Sequence, residues 1–103
     1  PFEPYEDEVP EDYDPEPTDY SIFEFSVLGI LWTENVKKVM VVGPKPRSKG
    51  FILAEGNRIG KNEGIVQLIG KDELVVREKV RGADSKVYFI DHRLPLYNRR
   101  AVR

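Results

Sequence analysis

The chain has 103 residues, 40% of them apolar, enough for one small domain and not for two. It has no cysteine, which excludes a disulfide framework, a thiolate nucleophile and a zinc-thiolate site, and its single histidine leaves little for an imidazole-based centre. The net charge of −2 conceals two opposed parts: residues 1–20 carry nine acids and no Lys or Arg, whereas 21–103 carry sixteen bases against nine acids, a surplus of seven.

In chain order, residues 1–21 read as an acidic, Pro-rich disordered arm holding five of the eight prolines. Ordering it costs roughly 1–2 kcal/mol per residue in backbone entropy. Only Phe2, Val9 and three tyrosines offer apolar area in return. A body is expected over 22–96, entered through a short helical turn within 20–25. Strands are expected within Ile22–Trp32 and at Val36–Val42, Phe51–Ala54, Gly64–Ile69, Leu74–Val80 and Lys86–His92, separated by Gly-, Pro- and Asn-bearing turns and stopped by Pro95. This spacing predicts an all-β fold, a small antiparallel β-sandwich or partly open barrel of six to seven short strands. Residues 97–103 form a basic C-terminal tail with Arg99, Arg100 and Arg103. No apolar run is long enough to span a membrane. The chain opens at Pro1 and is expected to be a fragment, with room upstream for a signal peptide or a lipid-attachment cysteine.

Two strand patterns stand apart. Leu74, Val76, Glu78 and Val80 alternate with Val75, Arg77 and Lys79, as one buried and one wet face require. Val27 to Trp32 is apolar on both faces. Either that strand is central and covered on both sides, or one face stays open for a partner. The second possibility makes Val27, Leu28 and Ile30 candidate partner-binding residues, with Lys37 and Lys38 as rim charges.

The stretch Gly56 to Gly64 is the one place where a ligand loop deserves a test. Three residues separate Gly56 from Gly60 and Asn62 follows Lys61, so the phosphate-loop spacing fails. Strands flank it, so no helix N-terminus is available to an anion. Gly56, Gly60, Asn62 and Gly64 therefore read as a structural turn. His92 and Asp91 are adjacent and point to opposite faces of a strand, which argues against a catalytic pair and leaves His92 a strand-end surface residue. Glu55, Glu63, Asp72, Glu73 and Asp84 fall in turns, where charge is normally solvated. No catalytic, cofactor-binding or metal site is expected, and the chain reads as a binding module rather than an enzyme. The alternative is a small β-barrel nucleic-acid-binding module, using basic turns (Lys45, Arg47, Lys49, Arg58, Lys61, Lys71) and the aromatics Phe51, Tyr88 and Phe89.

Several short motifs follow one another along the chain. Val27-Leu28-Gly29-Ile30-Leu31 opens them, a second strand ends at Gly43-Pro44, and Gly50-Phe51-Ile52-Leu53 follows. Gly56, Ile59, Gly60, Asn62, Gly64 and Val66 spell Gly-x-x-Ile-Gly-x-Asn-x-Gly-x-Val, and Asp72, Leu74, Val76 and Glu78 form a downstream motif. In this order they resemble the PilP family of type IV pilus assembly lipoproteins, whose first strand reads Leu-Val-Gly-x-Leu where this chain has Val27 to Leu31. Pro1-Phe2-Glu3-Pro4 is similar to the end of a segment that often precedes the family domain. The acidic stretch between Tyr5 and Tyr20 and the long Pro44–Gly50 loop depart from the pattern. The inner-membrane component of type II secretion has a homologous periplasmic domain. The resemblance implies a small β-sandwich in the periplasm, anchored to the inner membrane only through an upstream lipid. It also implies binding to the secretin periplasmic N-terminal domain, to inner-membrane pilus alignment proteins through the N-terminal arm, and to no nucleic acid.

Overall fold

The structure is a computed structural model that describes residues 14–97. Most of the acidic arm and all but the first residue of the basic tail lie outside the described residues. Six strands form two antiparallel meanders: β1 (Ser26–Trp32), β2 (Lys37–Val42) and β3 (Gly50–Leu53) in sheet A, β4 (Ile65–Ile69), β5 (Glu73–Arg81) and β6 (Val87–Pro95) in sheet B. The order is β1-β2-β3 and β4-β5-β6, so β1, β3, β4 and β6 are edge strands. No helix among the described residues is long and apolar enough to cross a membrane.

The inner faces meet in a core of Ile22, Phe25, Val27, Val39, Val41, Leu53, Ile59, Val66, Ile69, Leu74 and Val76. Two spacings in it break strand alternation, and each has the same cause. Val27 pairs with Val41 and Gly29 with Met40, which leaves Leu28 as a bulged residue. Val66 pairs with Val76 and Leu68 with Val75, which leaves Gln67 bulged. One extra residue in each opening strand turns the next inward side chain from the second to the third position, so Ile30 packs against the core and Ile69 enters it.

The glycine-bearing stretch carries the chain from sheet A to sheet B. Ile59 is fully buried between the sheets, and its N–H donates to the Gly64 carbonyl at 3.1 Å. Gly60 has φ +88°, and a Cβ there would collide with the Ile22 side chain. A Cβ on Gly64 would collide with the Ile59 carbonyl. The Asn62 carbonyl accepts the Lys79 N–H at 3.3 Å, and Gly56 has φ +93°. This segment is shaped by backbone approach.

Order on the body begins by Asp14, ahead of the boundary expected at Ile22. Pro15 is buried, Pro17–Asp19 forms a 3-10 turn, and the Gly60 N–H donates to the Pro17 carbonyl at 3.0 Å. The Tyr20 ring meets Phe25 edge-on at 5.6 Å and lies against Gly43. A second 3-10 turn, Ile22–Glu24, is capped by Ser21, whose N–H donates to Glu24 Oε1 at 2.9 Å, and it drives Ile22 into the core. Composition hid this seat because its apolar anchors are few and widely spaced. Across the sandwich, Trp32 Nε1 of β1 donates to the Ile69 carbonyl of β4 at 3.1 Å, with the Lys37 and Lys71 ammonium groups 5.4 and 4.8 Å from the ring.

Candidate functional site

β1 is an edge strand with one face in the core and the other open. Beyond its bulge, Gly29, Met40 and Ile52 stand opposite one another across β1, β2 and β3, and Leu31 stands opposite Lys38. These residues face away from sheet B: Leu31 is 56%, Met40 42% and Ile52 67% exposed. Gly29 contributes no side chain to the row. The result is a shallow hollow of about 380 Å³ lined by Gly29, Leu31, Lys38, Met40 and Ile52 over the Ile30–Val39 backbone. Its wall is almost wholly apolar, with Lys38 at its rim. An apolar depression on a flat sheet suits a protein side chain or strand and offers no group for chemistry.

The candidate partner-binding residues divide on this geometry. Val27 is corrected to core, because it points into the sandwich at 2% exposure. Its carbonyl is also taken by the Tyr97 N–H at 2.8 Å, and it bridges Leu96, so the first half of the β1 edge is closed to a docking strand. Ile30 packs partly buried against the core. Leu28 stands out at the bulge, half exposed. Lys38 lies at the rim of the hollow, while the Lys37 ammonium rests over the Trp32 ring. Leu31, Met40 and Ile52 were not singled out by sequence reasoning: the β1 bulge turns Leu31 outward, and Met40 and Ile52 reach the same face by the ordinary alternation of β2 and β3.

His92 requires a correction. It sits inside β6, not at a strand end, and is largely buried. Its Nε2 lies 3.1 Å from Oε1 of Glu78, a carboxylate buried on the inner face of β5. The Phe23 ring closes over the imidazole edge-on at 5.1 Å. Asp91 faces the other way and receives Arg77 Nε at 2.8 Å and Nη2 at 3.1 Å. The turn carboxylates are engaged too: Glu55 accepts the Ile69 N–H at 2.9 Å, Glu63 pairs with Lys79, Glu73 with Arg93, and Asp84 accepts the Tyr88 hydroxyl at 2.6 Å. Among the described residues no group of three His, Asp or Glu side chains is placed to hold a metal ion.

The aromatics of the nucleic-acid alternative do not converge. Phe51 turns toward the core beside Phe25, 6.1 Å between centroids, whereas Tyr88 and Phe89 are consecutive in β6 and face opposite ways. A second depression, about 660 Å³, runs along sheet B between Arg58, Lys61, Lys79 and Phe89. Its cations are interleaved with Glu16 and Glu63, so it lacks the unbroken basic track that a phosphate backbone needs.

No protein-family model matches the chain, and no curated protein matches it by sequence. Solved structures do match. The solution structure of PilP from Pseudomonas aeruginosa superposes with a TM-score of 0.67 at 20% identity, covering 88% of this chain and 80% of that one. A domain of the type IV pilus biogenesis lipoprotein PilP, from Pseudomonas aeruginosa PA01, gives 0.65 at 21% identity, covering 91% of this chain and 100% of that one. A domain of the Neisseria meningitidis PilP pilot protein gives 0.61 at 17%, covering 86% and 76%. The body has the PilP fold. Within this PilP-like body the motifs read from the sequence occupy structural posts. Val27–Leu31 is the bulged edge strand, Gly56–Gly64 the passage between sheets, and Leu74, Val76 and Glu78 the inner face of β5.

Proposed function

We propose that this chain is a non-enzymatic, periplasmic adaptor module of a type IV pilus machine. In this reading the open face of sheet A docks on the periplasmic N-terminal domain of the outer-membrane secretin. The N-terminal arm engages inner-membrane pilus alignment proteins, and an upstream lipid anchors the whole. The observation that carries the reading is an apolar hollow at Gly29, Leu31, Met40 and Ile52, left open on a body with the PilP fold. A fully buried Leu, Ile or Met side chain contributes about 1.5–3 kcal/mol, so covering three that are about half exposed gives on the order of 1 kcal/mol each. That supports a hot spot of modest affinity once association entropy is met. Lys38 at the rim speeds encounter with an acidic partner surface more than it tightens the complex.

The test is a set of four variants in the full chain, titrated against the secretin N-terminal domain. Leu31→Asp should keep the native amide spectrum and abolish binding, and Leu28→Asp should keep the fold as well. Ile30→Asp and Val27→Asp should unfold the body, because both side chains meet the core. Native affinity in Leu31→Asp would sink the assignment of this face.

A further inference from the structure

The far edge of sheet B holds a second interaction surface. Strand β6 pairs with β5 in unbroken register from Glu73 opposite Pro95 to Arg81 opposite Val87. The hydrogen-bond phase of that ladder is fixed at both ends. At the tip, the Gly82 N–H donates to the Lys86 carbonyl at 2.8 Å, and at the base the Leu96 N–H donates to the Asp72 carbonyl at 2.9 Å. Antiparallel partners alternate between bonded and non-bonded pairs. Even-numbered residues of β6 therefore bond to β5, and Val87, Phe89, Asp91 and Arg93 turn their backbone N–H and C=O toward the free edge. Pro95 fits this phase, because its missing N–H falls at an outward position where no ladder bond is lost.

One outward position further along is already used. The Tyr97 N–H donates to the Val27 carbonyl at 2.8 Å, with Leu96 bridging Val27 in parallel. The same rail thus accepts a strand at its lower end and, among the described residues, pairs with no strand above it. Its upper part, Val87 to Ile90, lacks several of the usual protections of an edge. It has no bulge, no proline before Pro95, and no charge in the run Val87-Tyr88-Phe89-Ile90. Both faces of the ribbon are apolar there: Val87 and Phe89 on one, Val80, Tyr88 and Ile90 on the other, all exposed, with Phe89 at 61%. At the tip, Arg81 and Lys86 make no ion pair among the described residues.

We infer that β6 is a strand-addition site for an extended segment of a partner protein. That segment lies along Val87–Arg93, carries apolar side chains at alternating positions, and places an acidic residue beside Arg81 and Lys86. Backbone bonds to Val87, Phe89, Asp91 and Arg93 supply the pairing, and the two apolar faces select the side chains. The site is separate from the hollow on sheet A and does not depend on the function proposed for it.

The probe is the peptide acetyl-Glu-Val-Thr-Val-Thr-Val-Thr-amide, titrated into the isotope-labelled full chain. Amide shifts should centre on residues 86–93 and leave Gly29, Met40 and Ile52 unmoved. Phe89→Ala and Phe89→Pro both delete the ring, but only the proline deletes an outward N–H. Binding should therefore be about threefold to tenfold weaker in Phe89→Pro than in Phe89→Ala. The Tyr88 and Ile90 amides should stay protected from exchange in both. Val87→Pro against Val87→Ala repeats the comparison at the tip, should residue 89 prove intolerant. Equal affinities in the Ala and Pro variants, or shifts centred on sheet A, overturn the inference. So does a concentration-dependent dimer through residues 86–93 without peptide, which would assign the edge to a second copy of the chain.

Discussion

At the scale of single residues, the glycines of the crossing segment and two polar pairs decide most of what can be changed. A Cβ at Gly60 meets Ile22 in a left-handed backbone conformation, and one at Gly64 meets the Ile59 carbonyl. Gly60→Ala should cost about 1–3 kcal/mol, read as a lowered denaturant midpoint with an unchanged slope. Glu78 is buried on the inner face of β5, its Oε1 3.1 Å from Nε2 of His92. His92→Ala leaves that carboxylate short of a partner and should cost about 1–3 kcal/mol, measured the same way. The ribbon tip holds a third device. The Tyr88 hydroxyl donates to Asp84, and with help from the Lys86 N–H it holds that carboxyl below its ordinary value, while the same bond raises the Tyr88 phenol. A lowered acid stabilises above its unfolded pKa and loses that contribution as pH falls through the folded one. A raised phenol stabilises below its unfolded value and loses it as pH rises through the folded one. The tip should therefore hold its shape across the neutral range and loosen at both extremes. In Tyr88→Phe the Asp84 carboxyl midpoint, followed by NMR, should move up toward the ordinary carboxylate value of about 3.9.

At the scale of elements, the two sheets repeat one plan. Each is a three-strand meander whose opening strand carries a bulge, at Leu28 in β1 and at Gln67 in β4. All six strands were legible in the sequence to within a few residues, because turn residues punctuate them and β-branched residues fill them. The short turn before β1 was legible as well. The bulges were not, since nothing in Val27-Leu28-Gly29-Ile30 distinguishes a straight strand from one with an extra residue. That single ambiguity kept both readings of β1 open, and it concealed that Leu31, not Val27, faces outward. The β5–β6 ribbon carries its own prediction. Hydrogen exchange should alternate along β6, slow at Tyr88, Ile90 and His92 and fast at Val87, Phe89 and Asp91. Uniform protection along the strand would show that its outer edge is already paired.

At the scale of the whole molecule, two surfaces on different sheets are left uncovered by the described residues: the hollow of sheet A and the rail of β6. A body with both can hold two partners at once, as the proposed linking role requires. The variants Gly29→Leu and Leu31→Asp separate this from general stickiness. Gly29 has open space where a side chain would go, so Gly29→Leu should fill the hollow, leave unfolding midpoints unchanged or slightly higher, and weaken the docking on the secretin domain proposed above. Unaltered binding in this variant would place the contact elsewhere. The sandwich and its likeness to PilP could be read from strand spacing and from the glycine pattern. The seat of Asp14–Tyr20 could not, because proline and charge dominate its composition while its anchors include a buried Pro15, Lys49 paired with Asp14 and donating to the Pro15 carbonyl, one backbone bond from Gly60 and one tyrosine ring.

The indole of Trp32 sits where the opening strand of one sheet reaches the closing carbonyl of the other strand pair at Ile69. As the sole tryptophan of the chain, it makes this joint the only source of indole emission. A spectral shift during denaturation therefore reports the loss of this joint between the layers.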